Sequence, residues 1–287
     1  MRSVYWRLLR ALPAVPSLKL QFLVKHGYVP DLRNGDSFSE KVQKRKLYES
    51  NDLFTLYADK IAVKTIVAER VGPDWVTPTI WSGTELPPRH LRNWPIPFIV
   101  KASHASGWNY FVRSEKDLDW DVIEALSQKW ATTSWHRHVH EGFYNKIERR
   151  VLVEPIIGPP NASPPDFKFF VFRGSSTVYV QVDTDRSTNH KRCFYDSNWI
   201  KQPFALCYPF EPREVARPAH FDAMLDAARK LAEPFEFARV DLYDLDDHPK
   251  FGEITFTPGS GYEVFTPADY DKKLGALWAQ QLPAVSA

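Results

Sequence analysis

The chain is 287 residues long, with 44% hydrophobic and 25% charged residues. That composition excludes wholesale disorder, collagen-like repetition and a disulfide scaffold. Its 37 basic and 35 acidic residues leave a net charge of +2, which excludes a protein dedicated to coating nucleic acid. The two cysteines, Cys193 and Cys207, form no CxxC pair and read as two buried thiols in a reducing compartment. No run of about 20 apolar residues is present, so no spanning segment is expected.

In chain order, residues 1–57 form a basic, helical N-terminal segment. Val4, Leu8, Leu9 and Leu12 share one helical face, and Pro13 and Pro16 interrupt it. Two readings stand for this face: a helix packed on the body, or one docked on an anionic membrane surface. Residues 41–50, KVQKRKLYES, read as a solvated helix face. A helix follows, with Asp59 as its cap, Ile61, Ile66, Val67 and Val71 as its apolar side, and Gly72 as its stop. Residues 73–97 carry six prolines and read as extended loop.

PFIVKASHASGWNYFV reads as strand, loop, strand, and residues 117–132 as a helix with an acidic first turn. RRVLVEPIIG is a short buried strand ending at Pro155. The surface loop GPPNASPP, 158–165, divides a subdomain over 58–157 from one over 158–287. FKFFVFRG and STVYVQVDTD then form a hairpin, residues 219–235 an amphipathic helix, FARVDLYDL and KFGEITFT a second hairpin, and the chain closes on a helix. Strands and helices mix without strict alternation, so the fold class is α+β with substantial antiparallel sheet.

The second hairpin carries the strongest chemical signal. With its turn centred on Asp247, Asp241 lies opposite Glu253 and Arg239 opposite Thr255, while Val240, Leu242, Ile254 and Phe256 share the apolar face. Two carboxylates directly opposite repel each other. Without a cation between them the pair should cost stability, so Asp241→Asn should leave the free protein as stable or stabler. Such oxygen ligands suit Mg²⁺; the alternative is an exposed face on which Arg239 neutralises one acid.

Three weaker signals accompany it. Lys101 ends an apolar strand before the small-residue loop Ser103, Ala105, Ser106, Gly107, where backbone N–H groups and a lysine can meet phosphate. Glu154 ends another apolar strand, beside backbone that Pro155 leaves partly unpaired and that can read an adenine. Arg186, His190, Lys191 and Arg192 crowd together with Asp183 and Asp185 and can hold an anion. His136, His138 and His140 alternate, but nothing nearby completes a zinc site.

The order of these pieces resembles the ATP-grasp superfamily. More closely, YADKIAVKTIV, IVKASHASGWN, DFKFFVFRG, QVDTDRSTNHKRCFYD, ARVDLY and FGEITFTPGSGYE are similar to the TupA-like ATP-grasp family, whose members are associated with teichuronopeptide and other surface-polysaccharide genes. The resemblance spans roughly residues 35–275. It implies two α+β subdomains clasping ATP between antiparallel sheets. Lys60 and Lys101 match phosphate-contacting lysines, with Lys64 as an alternative to Lys60. Residues 103–107, including Ser103, Ser106 and Gly107, match a mobile phosphate loop. Glu154 and the backbone of Ile156 or Ile157 match the adenine hinge, and Asp166 or Lys168 lies on the approach to ribose and phosphates. Asp241 and Glu253 match the Mg²⁺ carboxylates, and Arg239 the arginine beside an acyl-phosphate.

Two departures stand out. Thr255 replaces the Asn that many ATP-grasp ligases carry at the third metal position. No nucleotide-fold-like domain precedes the grasp within residues 1–57, so Arg186, His190, Lys191 and Arg192, or a partner, would supply the acceptor side. The activity implied is an ADP-forming carboxylate–amine ligase. It would join a uronic acid or amino acid to an amine in capsule or cell-wall polymer synthesis, in the cytoplasm and with peripheral contact to the inner membrane face. A kinase on the same scaffold, a glycosyltransferase and a non-catalytic carrier are the rivals. No nucleic-acid partner is expected.

Overall fold

The computed structural model describes residues 9, 12–134, 140–158, 166–186 and 188–281. Helix α1, Ala14–His26, starts just after Pro13 and ends at Gly27, whose φ of 80° lets the chain turn away. Pro16 does not break it, because an amide in the first helical turn has no partner to lose. Val4 and Leu8 lie outside the described residues, while Leu9 is buried. Helix α2, Phe38–Tyr48, is capped by Ser37 and Glu40 in reciprocal hydrogen bonds. Helices α3, Asp52–Ala58, and α4, Ala62–Val71, follow. Asp59 accepts from the Ile61 amide at 2.9 Å and pairs with Arg150, and Gly72 ends α4.

The expectation of a solvated face over 41–50 is overturned. Val42, Gln43, Lys44 and Arg45 are all buried. Their donors serve the carbonyl ends of distant elements. Arg45 donates to Phe237 O at 2.9 Å and Phe256 O at 3.1 Å, pairs with Glu49 at 2.7 Å, and lies 4.3 Å from the Trp278 ring. Gln43 and Lys46 donate to Ser260 O. Charge density alone reads as solvent exposure, but long side chains can deliver their heads to buried carbonyls. Arg45→Met should therefore cost about 3–5 kcal/mol, since it strands Glu49 and two carbonyls. A urea midpoint within error of wild type would contradict this.

Strands β1 (Trp81–Gly83), β2 (Phe98–Ala102), β3 (Asn109–Val112) and β4 (Val151–Pro155) form an antiparallel sheet in the order β1-β4-β2-β3. Alternation along β2 sends Phe98, Val100 and Ala102 to a core shared with Val112, Val151, Val153 and helix α5, Trp120–Thr132. Ile99 and Lys101 face the other way.

A second, six-stranded sheet has the order β11-β10-β5-β6-β7-β8. Its strands are β5 (Asp166–Phe172), β6 (Val178–Thr184), β7 (Lys191–Tyr195), β8 (Lys201–Gln202), β10 (Phe237–Tyr243) and β11 (Lys250–Thr255). The short pair β9 (Ala205–Leu206) and β12 (Phe265–Thr266) stands apart. One face is apolar throughout: Phe167, Phe169, Val180, Val182, Val240, Leu242 and Ile254 pack under α3, α4 and helix α6, Phe221–Ala232. The opposite face is divided. Phe170, Phe172 and Phe237 pack beneath Phe38, Val42 and Trp278, together with helix α7, Asp269–Leu277. Along the same strands, and on that same face, lie Asp166, Lys168, Arg239 and Asp241. The architecture is α+β with antiparallel sheets.

Neither cysteine is bridged; Cys193 is buried, but Cys207 is exposed, contrary to the reading of two buried thiols. Cys207 follows β9 with φ of 65°, so its side chain leaves the sheet where the chain turns outward. Among the described residues no helix is long and apolar enough to cross a membrane. His136, His138 and residues 159–165 lie outside the described residues.

Candidate active site

The polar half of the six-stranded sheet and the outer face of β2–β3–β4 enclose a cleft of about 380 Å³. From the small sheet it is lined by Ile99, Lys101, Asn109, Phe111 and Glu154, all placed on one face by the register Ile99↔Glu154, Ile99↔Phe111 and Lys101↔Asn109. From the large sheet come Lys168, Asp241, Tyr243, Phe251, Glu253 and Ile254. The start of α4 adds Lys60, Val63 and Lys64, and the chain after β4 adds Ile156 and Ile157.

The hairpin register is the one the sequence implies. Arg239 pairs with Thr255, Val240 with Ile254 and Asp241 with Glu253, and the register then slips so that Leu242 meets Phe251. Gly252 occupies this bulge. A Cβ there would lie 2.9 Å from the Asp241 carbonyl oxygen, too close for any side chain without moving Asp241. Gly252→Ala should lower turnover, with a stability loss of about 1–3 kcal/mol. Unchanged kcat and melting temperature would show that the bulge does not fix the acid.

A cation does stand between the two acids, and it is Arg239. Its guanidinium donates to both Asp241 oxygens at 2.7 and 2.8 Å, to Glu253 Oε1 at 3.2 Å and to Thr255 Oγ1 at 3.0 Å. Lys168 adds bonds of 2.6 Å to Asp241 and to Asp166. The expected bare repulsion is thus replaced by a neutralised network, in which Asp241 is only 3% exposed. Burial pushes the Asp241 carboxyl up, but Arg239 and Lys168 outweigh it and hold it below the usual carboxylate range. Burial opposes the charge on Lys168, yet Asp241 and Asp166 keep it above the usual lysine value. Asp166 is raised by burial.

On the opposite wall, Glu154 accepts from Lys101 at 2.6 Å and also pairs with Lys64. Burial raises its carboxyl, and the two lysines more than compensate, leaving it depressed. Lys60 donates to Ala105 O at 2.6 Å, and burial lowers its ammonium below the usual lysine range. Lys64 also donates to Thr77 O and Thr79 Oγ1, both at 2.7 Å.

Of the residues singled out from the sequence, Lys60, Lys64, Lys101, Gly107, Glu154, Ile156, Ile157, Lys168, Arg186, Asp241 and Glu253 line the cleft. Arg239 and Thr255 reach it through their bonds to Glu253. Ser103 does not: it is fully buried, donating to Glu148 O at 2.9 Å and accepting from the Arg150 amide. Ser106 is exposed but does not line the cleft. Asp166 sits behind Lys168, paired with it and with Arg186 at 3.2 Å. His190 and Arg192 turn to Asp183 at 2.9 and 2.7 Å. Arg192 is itself buried, and Lys191 pairs with Thr184 on the β6 edge. Only Arg186 of that basic cluster faces the cleft.

Sequence reasoning missed Asn109 and Phe111, although their spacing on a strand next to Lys101 is a signal. It also missed Tyr144 and Tyr243, whose phenols burial pushes up. Nothing local marks those two. Among the described residues no group of three or more His, Cys, Asp and Glu could hold a metal. The candidate donors are two carboxylates and a hydroxyl.

A family model described as TupA-like ATPgrasp matches residues 40–279. No curated protein matches the chain. Among solved structures the chain is similar to the D-alanine-D-alanine ligase from Helicobacter pylori, at 18% identity and TM-score 0.45, covering 80% of this chain and 60% of that one. It is also similar to the D-alanine–D-alanine ligase from Bacillus anthracis complexed with ATP, at 15% and 0.42, covering 78% and 65%. A third is the L-amino acid ligase from Bacillus licheniformis, at 14% and 0.43, covering 88% and 56%. The chain therefore spans less than two thirds of the length of each.

Proposed function

The chain belongs to the TupA-like ATP-grasp family, and from that premise we propose that it is an ADP-forming carboxylate–amine ligase whose nucleotide, ATP, occupies the cleft between the two sheets. The observation that carries this reading is the pairing of a lysine-bearing wall, Lys60, Lys64 and Lys101, with an acid-bearing wall, Asp241 and Glu253. A triphosphate is the ligand class that needs both, because its charge is met by ammonium groups on one side and by a carboxylate-held cation on the other.

In this reading Ile99, Ile156, Ile157 and Phe251 hold the base. The Ile156 amide is committed to Pro97 O, which leaves the Ile156 carbonyl and the Ile157 amide for its polar edge beside Glu154. Lys60 and Lys101 take phosphate oxygens, with Ser106 and Gly107 at the rim. Ser103 acts through the backbone bonds that order that loop. Lys168, backed by Asp166, reaches the phosphates from the large sheet. Asp241 and Glu253, with Thr255 as a weaker neutral donor, fit Mg²⁺, which usually takes one or two carboxylates and completes its shell with phosphate and water. When bound it would supply charge neutralisation at the transferring phosphoryl.

The γ-phosphoryl of ATP passes to a carboxylate oxygen, giving an acyl-phosphate and ADP. An amine attacks the acyl carbon, phosphate leaves, and the nitrogen gives up a proton to form the amide. Arg239 stabilises the acyl-phosphate, and positioning with fixed charge supplies the rate. Arg186 receives the anionic group of the substrate, while His190 and Arg192 fix its partner Asp183 and Lys191 flanks it. The substrates are a uronic acid or amino acid and an amine, used in capsule or other surface-polysaccharide synthesis. The protein works in the cytoplasm, with peripheral contact to the inner membrane face through its N-terminal segment. The working division into 1–57, 58–157 and 158–287 belongs to the same proposal, with α4 crossing over to pack on the large sheet.

The test is product analysis after incubation with ATP, Mg²⁺, a pool of amino acids and uronic acids, and hydroxylamine as the amine. ADP, phosphate and a hydroxamate are expected. AMP with pyrophosphate refutes the route. A phosphorylated acceptor without free phosphate indicates the kinase, and UDP released from a nucleotide sugar the glycosyltransferase.

A further inference from the structure

The first 30 residues contain Arg2, Arg7, Arg10, Lys19 and Lys25 but no aspartate or glutamate, whereas the rest of the chain carries a small excess of acid. Such segregation of charge along the sequence points to an anionic surface as its counterpart. Helix α1 shows which part of the segment is presented. It buries Ser17, Leu18, Gln21 and Phe22 against the body. Its other side keeps Val15, Leu23 and Val24 at 37%, 39% and 59% exposure, with Lys19 exposed among them, while Lys25, one turn beyond Gln21 and Phe22, is exposed on the body side of the helix end. Val15, Lys19 and Leu23 follow one another at four-residue intervals along a single line.

A helix that is apolar on both sides has a partner on both sides, and among the described residues only one side is covered. Beyond Gly27, Tyr28 and Val29 are also exposed, at 43% and 54%. The end of the helix is tied to the body: His26 stacks on Phe22 at 4.0 Å and bonds Gly261 O at 3.1 Å, and Tyr28 meets the Phe22 ring edge-on at 5.2 Å.

We propose that the outer face of α1 is the docking surface of this protein for an anionic lipid bilayer. The helix lies in the plane of the interface, Val15, Leu23 and Val24 enter the acyl boundary, and Lys19 extends to the headgroups. This rests on the peripheral-contact part of the reading above and not on its ligase chemistry.

Co-sedimentation of the full chain with phosphatidylglycerol-containing vesicles and with phosphatidylcholine vesicles tests it. Binding to the anionic vesicles alone, weakened by salt, is expected. A lysine near such a surface contributes roughly fivefold, so Lys19→Glu should lower binding at least about fivefold. Leu23→Ser with Val24→Ser should lower it comparably. All three positions are exposed, so melting temperature and ATP binding should not move. No vesicle binding by wild type overturns the inference and the peripheral contact together. Equal binding by wild type and variants overturns the inference alone and moves the contact elsewhere in the N-terminal segment. A concentration-dependent dimer that both variants abolish, without vesicle binding, makes a second copy the occupant and also overturns it.

Discussion

Asp241→Asn is expected to remove most turnover and to destabilise the free protein. Asp241 accepts from Arg239 twice and from Lys168 once, at 2.6–2.8 Å. Replacing it leaves two buried cations short of a counter-ion, a loss of about 3–5 kcal/mol. That reverses the expectation of neutral or improved stability drawn from the hairpin alone. The loss in kcat should be on the order of a hundredfold or more, as for a preorganised group facing transition-state charge. Glu253→Gln should act through the same unit, so the double variant should be scarcely worse than the worse single. Losses that multiply in the double would mean that the two acids work separately, and near-wild-type singles would make them structural.

The same network fixes a pH dependence. The folded Asp241 carboxyl is held below its unfolded value, so its contribution to stability is complete above the ordinary carboxylate range and is lost as pH falls through the depressed folded value. Melting temperature of wild type should therefore fall below about pH 4, and Asp241→Asn should show a shallower fall. Parallel curves would contradict the assignment.

Lys101→Ala is expected to weaken ATP binding by about 1.5–3 kcal/mol, roughly tenfold or more, the usual contribution of a hydrogen bond to a charged group. In the free protein Lys101 is held by Glu154, so phosphate competes with a carboxylate for it. Glu154→Gln should then raise, not lower, the phosphate contribution of Lys101, while loosening the fold around Lys64. Calorimetric titration reads both variants; equal affinity of Lys101→Ala and wild type would remove Lys101 from the site.

Much of this was legible in local pattern. The hairpin from Phe237 to Thr255 has a short turn and strict alternation, so its register and the opposition of Asp241 and Glu253 follow from spacing, up to the bulge at Gly252. What spacing does not encode is which strand lies beside β10. The pairing of β5 with β10 sets Lys168 opposite Asp241, and it joins segments some 70 residues apart. The decisive counter-ion was therefore hidden, although Lys168 itself was singled out. Arg45 was misread for a related reason: its partners, the carbonyls of Phe237 and Phe256, are supplied by distant strand ends. Arg186, His190 and Arg192 gather around Asp183, and strand alternation with that carboxylate turns most of the basic cluster away from the cleft.

The most direct test of the central claim is a crystal structure of the full chain with Mg²⁺ and a non-hydrolysable ATP analogue. The account predicts the base between Ile99, Ile157 and Phe251. It predicts phosphates against Lys60 and Lys101, with Lys101 drawn off Glu154, and a metal on Asp241 and Glu253 with Arg239 displaced from between them. A nucleotide bound outside the cleft, or a cleft that stays empty at saturating analogue with the Arg239–Asp241 pair intact, would contradict it.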